Sequence, residues 1–370
     1  MRILLASDKF KGSLPAPEVA AALRTALAEV FPGAEFDTCP IADGGEGTTE
    51  AMVGALGGAW SEAAVTDARG RPRVARFGWI PADRRAILEM SAASGLALVA
   101  DLPPDPAGAS TFGTGELLLA ARRLGAEKLL LGIGGSATND GGLGMALALG
   151  HRFERRGAPF VPTLATLLEA DRLHLAEPPC AELLVACDVD NPLLGPRGAT
   201  RVYGPQKGVR DFAWFEARLA HLADLAAAAR GVDPRETPGA GAAGGLGFGL
   251  LAFAGGRLTP GFELVAAQVG LAARVARADL VVTGEGRLDE QSLQGKGPVG
   301  VARLARASGK PVLGVAGSVA DSVALRAQFD LLLGIKPAAM PLAEAMARTA
   351  ELLGATVRAH APELRALRRA

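Results

Sequence analysis

The sequence predicts an α/β fold in which a parallel sheet covered by helices forms one lobe and a second α/β lobe is inserted into it. Short apolar runs bounded by glycine or polar turns are typical of parallel strands that are buried on both faces. These runs alternate with Ala- and Leu-rich helical stretches, which favours layered α/β architecture. The segment 65–89 instead indicates strands of a mixed or antiparallel sheet, and we assign it to the inserted lobe.

The chain has 370 residues, more than one hydrophobic core usually supports, so we expect two domains. Residues 1–64 and 262–370 form the expected first lobe and residues 65–261 the inserted one, although 116–150 could also belong to the first. The predicted strands are Arg2–Ala6, Lys128–Ile133, Leu183–Ala186, Leu280–Thr283, Val312–Val315 and Leu331–Leu333. The predicted helices are Pro17–Val30, Gly115–Leu124, Phe212–Ala229 and Val299–Ala307.

Composition excludes several classes of protein. The 39 basic and 39 acidic residues cancel, and nucleic-acid-binding proteins normally carry a basic excess, so we expect no nucleic-acid partner. Cys39, Cys180 and Cys187 lack metal-ligand spacing and cannot all pair, which suggests a reducing compartment. No apolar stretch reaches about 18 residues and the N-terminus does not resemble a signal peptide. We therefore expect a cytoplasmic protein without a membrane partner, either a monomer or a homodimer.

Lysine is rare in this chain. It supplies only seven of the 39 basic residues, and arginine supplies the rest. Four lysines lie in glycine-rich segments: Lys9, Lys11, Lys207 and Lys296. A lysine is a compact point charge, whereas arginine is a planar fork, so these positions are candidates for anion binding. Chance among so few residues is the alternative.

The segment after the first strand is the first candidate site, because ligands of open parallel sheets bind beyond the carboxyl ends of the strands. It contains Asp8, Lys9 and Lys11, and Ser13 is a candidate N-cap for the next helix. A phosphate or carboxylate bound there would meet two ammonium groups and a helix N-terminus. The alternative is a surface turn with a solvated ion pair.

Two carboxylates, Asp43 and Glu46, flank a pair of glycines before a helix. Neighbouring acids suit a general base or an Mg²⁺ ligand, and both roles belong to phosphoryl transfer. A capped helix start is the alternative.

The segment 131–144 is the strongest candidate for a phosphate cradle. Consecutive N–H groups of a glycine-rich turn can bind an anion, and the following helix would add its positive end. The candidate ATP ligands there are Gly134, Gly135, Ser136, Thr138, Asn139 and Asp140. Tight packing between a strand and a helix is the alternative.

Two sequence templates constrain this segment. The chain contains no G-x-x-x-x-G-K-[ST] motif, which excludes a Walker-type NTPase. Gly132, Gly134 and Ala137 fit G-x-G-x-x-A after a strand, with Glu154 downstream, so a nicotinamide-dependent oxidoreductase of a small hydroxy acid stays open.

Asp188, Asp190 and Asn191 follow a later strand and provide the hard oxygen ligands that Mg²⁺ prefers. An Asx-turn before Pro192 is the alternative. Nearby, Lys207 would neutralise phosphate charge.

The segment after the strand at Leu280–Thr283 contains Glu285, Arg287, Asp289 and Lys296. Arg287 could bind a substrate carboxylate through two hydrogen bonds, and Glu285 or Asp289 could accept a hydroxyl proton. The alternative is a charged loop with local salt bridges.

Six motifs together resemble the bacterial glycerate kinase family that is built from two α/β lobes. They are Asp8–Ser13, Ala42–Thr48, Gly134–Gly142, Cys187–Leu193 with Gly204–Gly208, Gly239–Gly245, and Thr283–Arg287 with Asp289 and Gln291. The resemblance implies a flavodoxin-like, Rossmann-type lobe built from both chain ends, with ATP and Mg²⁺ required and D-glycerate as acceptor. It favours 2-phosphoglycerate as product and leaves 3-phosphorylation by the same site open.

We assign roles on this basis, without deciding which acid is the base and which binds metal. Catalysis is assigned to Asp43, Glu285, Asp289 and Lys9. Substrate binding is assigned to Asp8, Lys11, Ser13, Arg287 and Glu46. ATP binding is assigned to Gly134, Gly135, Ser136, Thr138, Asn139, Asp140, Lys207 and Lys296. Metal binding is assigned to Asp188, Asp190 and Asn191.

Overall fold

The computed structural model describes residues 1–42, 44–45, 47–294 and 297–367. The chain divides into two compact units. The terminal unit comprises the described residues of 1–43, 50–57 and 262–370, and the central unit those of 44–49 and 58–261.

The strands of the described residues are β1 (Arg2–Leu5), β2 (Glu35–Thr38), β3 (Ala59–Thr66), β4 (Pro72–Ile80), β5 (Arg85–Glu89), β6 (Lys128–Gly132), β7 (Arg152–Arg155), β8 (Ala158–Phe160), β9 (Arg172–His174), β10 (Glu182–Ala186), β11 (Arg257–Thr259), β12 (Leu280–Leu288), β13 (Val312–Val319) and β14 (Leu331–Gly334). The helices are α1 (Ala16–Val30), α2 (Thr48–Leu56), α3 (Ser91–Ser94), α4 (Phe112–Arg123), α5 (Leu143–Ala148), α6 (Ala199–Tyr203), α7 (Phe212–Arg230), α8 (Ala242–Phe253), α9 (Gly261–Gln268), α10 (Leu271–Arg277), α11 (Gly297–Ala307), α12 (Val323–Arg326), α13 (Leu342–Ala347), α14 (Thr349–Ala359) and α15 (Ala361–Leu367).

The terminal unit is built on a parallel sheet in the order β14-β13-β12-β1-β2. Counted within this unit from its other edge, the order is 2-1-3-4-5, the flavodoxin-like arrangement. Ile3, Leu4 and Leu5 of β1 are fully buried, as expected for a parallel strand covered on both faces. The strand order reverses between β1 and β12, and ligands of such sheets bind at the carboxyl ends of the strands at this switch point.

Helix α1 shows how the sequence builds the layers around this sheet. Its buried residues include Val19, Leu23, Leu27 and Val30, spaced three or four apart, which places them on one face. That face packs in the same core as Ile3 of β1. The polar face of α1 remains in solvent, so the helix covers the sheet.

The central unit contains a mixed sheet in the order β11-β10-β6-β5-β4-β3. The four strands β11, β10, β6 and β5 are parallel, whereas β4 is antiparallel to both of its neighbours. The prediction of a mixed sheet in the segment 65–89 is therefore confirmed. A separate antiparallel sheet, β8-β7-β9, was not predicted from the sequence.

The boundaries of the units differ from the expected ones. Strand β3 pairs with β4 from Ala59 opposite Trp79 to Thr66 opposite Pro72. The long segment of the central unit therefore begins at residue 58, whereas its start was predicted from the sequence at residue 65. The segment 116–150 lies in the central unit because its strand β6 pairs with β5 and β10 on either side.

Strand β12 runs well beyond the predicted end at Thr283, to Leu288. Gly284 permits this extension, because a Cβ atom there would lie 1.8 Å from the carbonyl oxygen of Val315 on β13. Pairing continues as far as Arg287 opposite Ser318 and Leu288 opposite Val319. Glu285 and Arg287 are therefore alternate residues of one strand and point to the same face, rather than lying in a loop.

Candidate active site

The loop after β1 is fixed by a buried aromatic side chain. Phe10 is buried in the core of the terminal unit and exchanges backbone hydrogen bonds with Leu14, with N···O distances of 2.8 and 2.9 Å. Lys9 and Lys11 flank this anchor, and Lys11 is exposed. The loop therefore has a defined shape that presents the Lys11 ammonium group to solvent.

Asp8 lies at the switch point of the terminal sheet. Its backbone N–H donates to the carbonyl oxygen of Gly284 at 2.8 Å, which places it beside Glu285 of β12. Its buried carboxylate accepts a 2.6 Å hydrogen bond from the N–H of Lys9. A Cβ atom on Gly297, the first residue of α11, would lie 3.9 Å from the other carboxylate oxygen of Asp8. Asp8 is thus held between the sheet and the start of a helix.

Ser13 does not cap α1, contrary to the sequence-based expectation. The helix begins at Ala16 and Pro15 occupies the cap position without a side-chain hydrogen bond. The Ser13 hydroxyl instead donates to the carbonyl oxygen of Met346 at 2.6 Å and lies 2.5 Å from the Thr349 hydroxyl. A distant pair of helices, α13 and α14, supplies these partners, so local sequence could not reveal them.

The extended end of β12 presents an acid and a cation on one face. Ser292 donates a 3.0 Å hydrogen bond to Glu285. The Arg287 Nε atom lies 3.1 Å from the Asp289 carboxylate, and the Arg287 side chain remains 74% exposed. A local salt bridge was the alternative to ligand binding in the sequence analysis, and this pair is such a bridge. Because the Arg287 side chain is exposed, its guanidinium group is nevertheless accessible to an anionic ligand.

The glycine turn, residues 133–142, follows β6 in the middle of the central sheet. Gly134 and Gly135 are exposed, whereas Ser136 is buried. The backbone N–H groups of these three residues donate to no acceptor within the described part of the chain. Such N–H groups are suited to bind the oxygens of a phosphate.

Asp140 is enclosed in the turn and cannot face a ligand. Its carboxylate accepts hydrogen bonds from the Thr111 N–H at 2.9 Å, the Thr111 hydroxyl at 2.8 Å and the N–H groups of Gly142 and Gly144, each at 3.1 Å. Burial raises the pKa of Asp140 above its ordinary value, although these four hydrogen bonds favour the charged form. Asp140 therefore ties α4 to α5.

The same contacts correct the expected role of the helix that follows the turn. Asp140 occupies the N–H groups of Gly142 and Gly144, and the Thr111 hydroxyl accepts from the N–H of Met145 at 2.9 Å. The start of α5 is thus capped from within. The oxidoreductase alternative loses its basis, because a dinucleotide site needs an open helix N-terminus for the pyrophosphate.

Lys207 is also enclosed rather than presented to solvent. Its Nζ atom donates to the Ser136 hydroxyl oxygen and to the carbonyl oxygen of Thr138, each at 2.6 Å. Burial lowers the pKa of Lys207 to about 7, and the nearby Asp140 carboxylate opposes this effect. The lysine predicted to meet phosphate thus binds the turn whose N–H groups at residues 134–136 have no acceptor among the described residues.

Two other predicted ATP ligands, Thr138 and Asn139, are fully buried. The Asn139 Nδ2 atom donates to the Thr200 hydroxyl at 3.0 Å. Their side chains therefore face the interior of the central unit.

A second glycine-rich loop, residues 239–245, packs against the backbone of the glycine turn. Ala243, Gly244 and Gly245 have φ values of 54°, 70° and 85°, in the left-handed region. A Cβ atom on Gly244 would lie 1.9 Å from the carbonyl oxygen of Thr138, so only glycine fits there. The motif Gly239–Gly245 thus serves close backbone packing.

The predicted metal ligands engage three different partners. One Asp188 oxygen accepts a 2.8 Å hydrogen bond from the N–H of Gly261. Asp190 is 75% exposed and forms a 2.8 Å ion pair with Arg197. The Asn191 Oδ1 atom accepts from the Tyr203 hydroxyl at 2.6 Å. In the described residues, no group of three or more His, Cys, Asp or Glu side chains is placed to hold a metal ion.

Gly44 and Glu89 also lie at the carboxyl edge of the central sheet, and neither was identified from the sequence as a site residue. A Cβ atom on Gly132 would lie 2.5 Å from the Gly44 carbonyl oxygen, and one on Gly44 would lie 2.4 Å from the Cβ atom of Ala186. Glu89 ends β5 and accepts a 2.9 Å hydrogen bond from the N–H of Thr49. Glu89 could have been identified as an acidic residue at the end of a strand. It was missed because the segment after β5 lacks the glycine-rich pattern of the other candidate sites.

Comparison with known proteins decides the family. A sequence model of the Glycerate kinase family matches residues 3–364. The chain belongs to this family. The family predicted from the six motifs is thereby confirmed.

Individual relatives agree with this glycerate kinase assignment. A protein named glycerate kinase from Bacillus subtilis (strain 168) is 46% identical over 97% of this chain and 96% of its own length. A glycerate 2-kinase from Escherichia coli (strain K12) is 44% identical over 90% of this chain and 89% of its own length. A crystal structure described as "putative glycerate kinase 2 from Salmonella typhimurium LT2" covers 100% of both chains with a TM-score of 0.90 at 39% identity.

Three predicted site residues, Asp43, Glu46 and Lys296, lie outside the described residues. Within the described ranges, no helix is long and apolar enough to cross a membrane.

Proposed function

We propose that this member of the glycerate kinase family transfers the γ-phosphoryl group of ATP to D-glycerate and yields 2-phosphoglycerate. The observation that carries the proposal is the glycine turn of a chain that the family matches along nearly its whole length. The N–H groups of residues 134–136 donate to no acceptor among the described residues, and the buried Lys207 side chain binds the turn through Ser136 and Thr138. The relative named glycerate 2-kinase supports the 2-phosphorylated product. Phosphorylation at the 3-hydroxyl is the alternative outcome for the same site.

The glycine turn is the proposed site for the ATP phosphates. The N–H groups of Gly134, Gly135 and Ser136 have no protein acceptor in the described residues, and the two glycines have no side chain to block a close approach. Phosphoryl transfer depends mainly on positioning and on neutralising charge, which preorganised backbone donors supply. Lys296 remains a further proposed ATP ligand.

Asp188 is the proposed ligand of Mg²⁺. A carboxylate at the end of a parallel strand has the hard oxygens that this ion prefers, and the bond from the Gly261 N–H holds Asp188 at that strand end. Asn191 fits less well, because Tyr203 already donates to its oxygen. When bound, Mg²⁺ would neutralise charge on the ATP phosphates. Asp190 also fits less well, because its side chain is 75% exposed and paired with Arg197. Asp43 remains a further proposed acid.

The edge of the terminal sheet is the proposed source of the groups that bind glycerate. Arg287 is exposed and can bind a carboxylate, with Lys9 and Lys11 as further cations. Glu285 lies two residues away on the same face of β12, about 7 Å along the strand. This spacing suits a small hydroxy acid whose carboxylate meets Arg287 while Glu285 or Asp289 accepts the hydroxyl proton.

Product analysis tests the proposal. The enzyme is incubated with ATP, Mg²⁺ and D-glycerate, and the products are identified by phosphorus NMR, with EDTA and no-enzyme controls. We expect ADP and 2-phosphoglycerate in equal amounts. A signal from 3-phosphoglycerate would correct the position of transfer, and the absence of any phosphorylated glycerate would overturn the proposal.

We also propose that the enzyme acts in the cytoplasm as a monomer or homodimer without a nucleic-acid partner. Cys39 and Cys180 form no disulfide among the described residues, which fits a reducing compartment. Light scattering after size-exclusion chromatography would distinguish the two oligomeric states, and a larger assembly would contradict both.

A further inference from the structure

Lys207 has an unusual position for a lysine in a proposed phosphate site. It is 4% exposed and ends the short 3-10 turn Pro205–Lys207. The next residue, Gly208, packs so closely on the proline-rich loop that a Cβ atom there would lie 2.6 Å from the Cβ atom of Pro104. The amino group is thus enclosed by protein.

Within the described residues, both hydrogen bonds of this amino group are made with the glycine turn. Nζ donates to the Ser136 hydroxyl oxygen and to the Thr138 carbonyl oxygen, each at 2.6 Å. These two acceptors flank Ala137, whose N–H donates to the Ser94 carbonyl oxygen at 2.9 Å. One lysine and one neighbouring segment therefore fix three successive residues of the turn.

We infer that Lys207 is a positioning residue that holds the glycine turn in its phosphate-binding shape without contacting the nucleotide itself. Two glycines at the tip of the turn leave its backbone conformationally free, so an internal tie is needed to keep their N–H groups aligned. Donors that are preorganised bind a charged group without paying for reorganisation on binding. The inference rests on the proposed function, because it takes the ligand of the turn to be the phosphates of ATP.

The requirement is specific for lysine in this geometry. Arginine presents five N–H donors in a rigid planar fork, whereas this enclosed position offers two acceptors to one nitrogen atom. We therefore expect that Lys207→Arg will not restore the function lost in Lys207→Met. Retention of lysine in a chain whose other cations are mostly arginine is consistent with this requirement.

The test compares Lys207→Met with Lys128→Met. Lys128 starts β6, the strand that leads into the turn, and its ammonium group pairs at the surface with Asp83 at 2.7 Å. We would measure the affinity for β,γ-imido-ATP, the KM values for ATP and D-glycerate, and hydrogen exchange of the amides of residues 133–138 without nucleotide. In Lys207→Met we expect the Kd and the KM for ATP to rise about tenfold, because a buried hydrogen bond is lost from the turn. Turn amides should exchange faster, while the KM for D-glycerate and all properties of Lys128→Met stay near wild type.

A second variant, Ser136→Ala, separates positioning from direct contact. If Lys207 acts through the turn, Ser136→Ala reproduces part of the loss, and the double variant is no worse than Lys207→Met. Loss of nucleotide affinity in Lys207→Met with unchanged turn exchange, or fully additive losses, would overturn the inference in favour of direct contact. If Lys207→Met does not fold, the test uses Ser136→Ala alone. The inference would then be overturned if Ser136→Ala bound β,γ-imido-ATP and exchanged its turn amides as the wild-type enzyme does. A wild-type enzyme that fails to bind β,γ-imido-ATP would remove the proposed function, and the exchange comparison would still decide the role of Lys207.

Discussion

At the carboxyl edge of the central sheet, Asp140 of the glycine turn and Lys207, which binds that turn, are both buried. At the corresponding edge of the terminal sheet, Lys11 and Arg287 are exposed. The buried groups take their hydrogen-bond partners from the protein, whereas Arg287 forms an ion pair with Asp289 and its side chain stays largely in solvent. The first arrangement uses charge to shape a backbone, and the second presents charge to a ligand.

The difference follows from the cost of burying charge. A buried ionic group is tolerated only when its hydrogen-bonding capacity is filled, so Asp140 and Lys207 have little capacity left for a substrate. An exposed cation loses less solvation when a ligand arrives and can exchange water for a carboxylate. Substitutions in the two regions should therefore affect different measurements.

The largest effect is expected at the proposed metal ligand. Asp188→Asn should lower kcat by about a thousandfold, because one of the charges that would hold Mg²⁺ near the phosphates is removed. Steady-state kinetics over a range of Mg²⁺ concentrations measures this. Asp190→Asn is the matched control, since Asp190 is 75% exposed and paired with Arg197, and it should stay within about twofold of wild type. Equal activity of the two variants would remove Asp188 from the metal site.

Replacing Asp140 should affect stability most strongly. Asp140→Ala leaves four buried donors without an acceptor and should lower the free energy of unfolding by about 3 kcal/mol. Urea denaturation checks this. Asp211→Ala is the control for the loss of a single hydrogen bond, because Asp211 caps α7 by accepting one 2.9 Å bond from Trp214. Its loss should lower the free energy of unfolding by about 1 kcal/mol. Similar losses at the two sites would mean that Asp140 is not the tie between α4 and α5.

The buried lysine should make stability depend on pH. The pKa of Lys207 falls from 10.5 to about 7 on folding, so above pH 7 the unfolded chain binds more protons and the free energy of unfolding rises with pH. The contribution between pH 7 and 9 is about 2 kcal/mol. Above pH 9 the thiols of Cys39 and Cys180, whose pKa values are raised by desolvation to about 11, act in the opposite direction.

Denaturation of wild type and Lys207→Met across pH 7 to 9 isolates this contribution. The rise should be present in wild type and absent from the variant. Parallel curves for the two proteins would show that Lys207 keeps an ordinary pKa.

The smallest effect is expected from an exposed cation of the terminal sheet. Arg287→Ala should raise the KM for D-glycerate about tenfold and leave the KM for ATP unchanged, because the proposed partner is the substrate carboxylate. Arg358→Ala is the control, since Arg358 forms a comparable surface pair with Glu29 at 3.2 Å. A matching rise in the KM for ATP would place Arg287 with the nucleotide instead.

Local pattern was enough to predict most of the framework. The apolar runs at β1, β6, β10, β13 and β14 predicted those strands to within a few residues at each end, because such runs need no information beyond their own sequence. The extension of β12 was missed because Gly-Glu-Gly has the composition of a turn, and only the neighbouring strand β13 gives it a partner. Ser13 was misassigned for the same reason, since its partners lie more than 300 residues away.

The sequence by itself determined the fold class, the family and the segments that reach the carboxyl ends of the strands, because apolar periodicity and glycine-rich motifs are local properties of the chain. Only the tertiary structure decided the direction of individual side chains within those segments. Asp140 and Lys207 stand in motifs that look equally suited to bind ATP, yet their partners are Thr111, Ser136 and Thr138. Whether a charged side chain faces a ligand or the interior depends on which distant groups fold around it, and burial and hydrogen bonding set that choice.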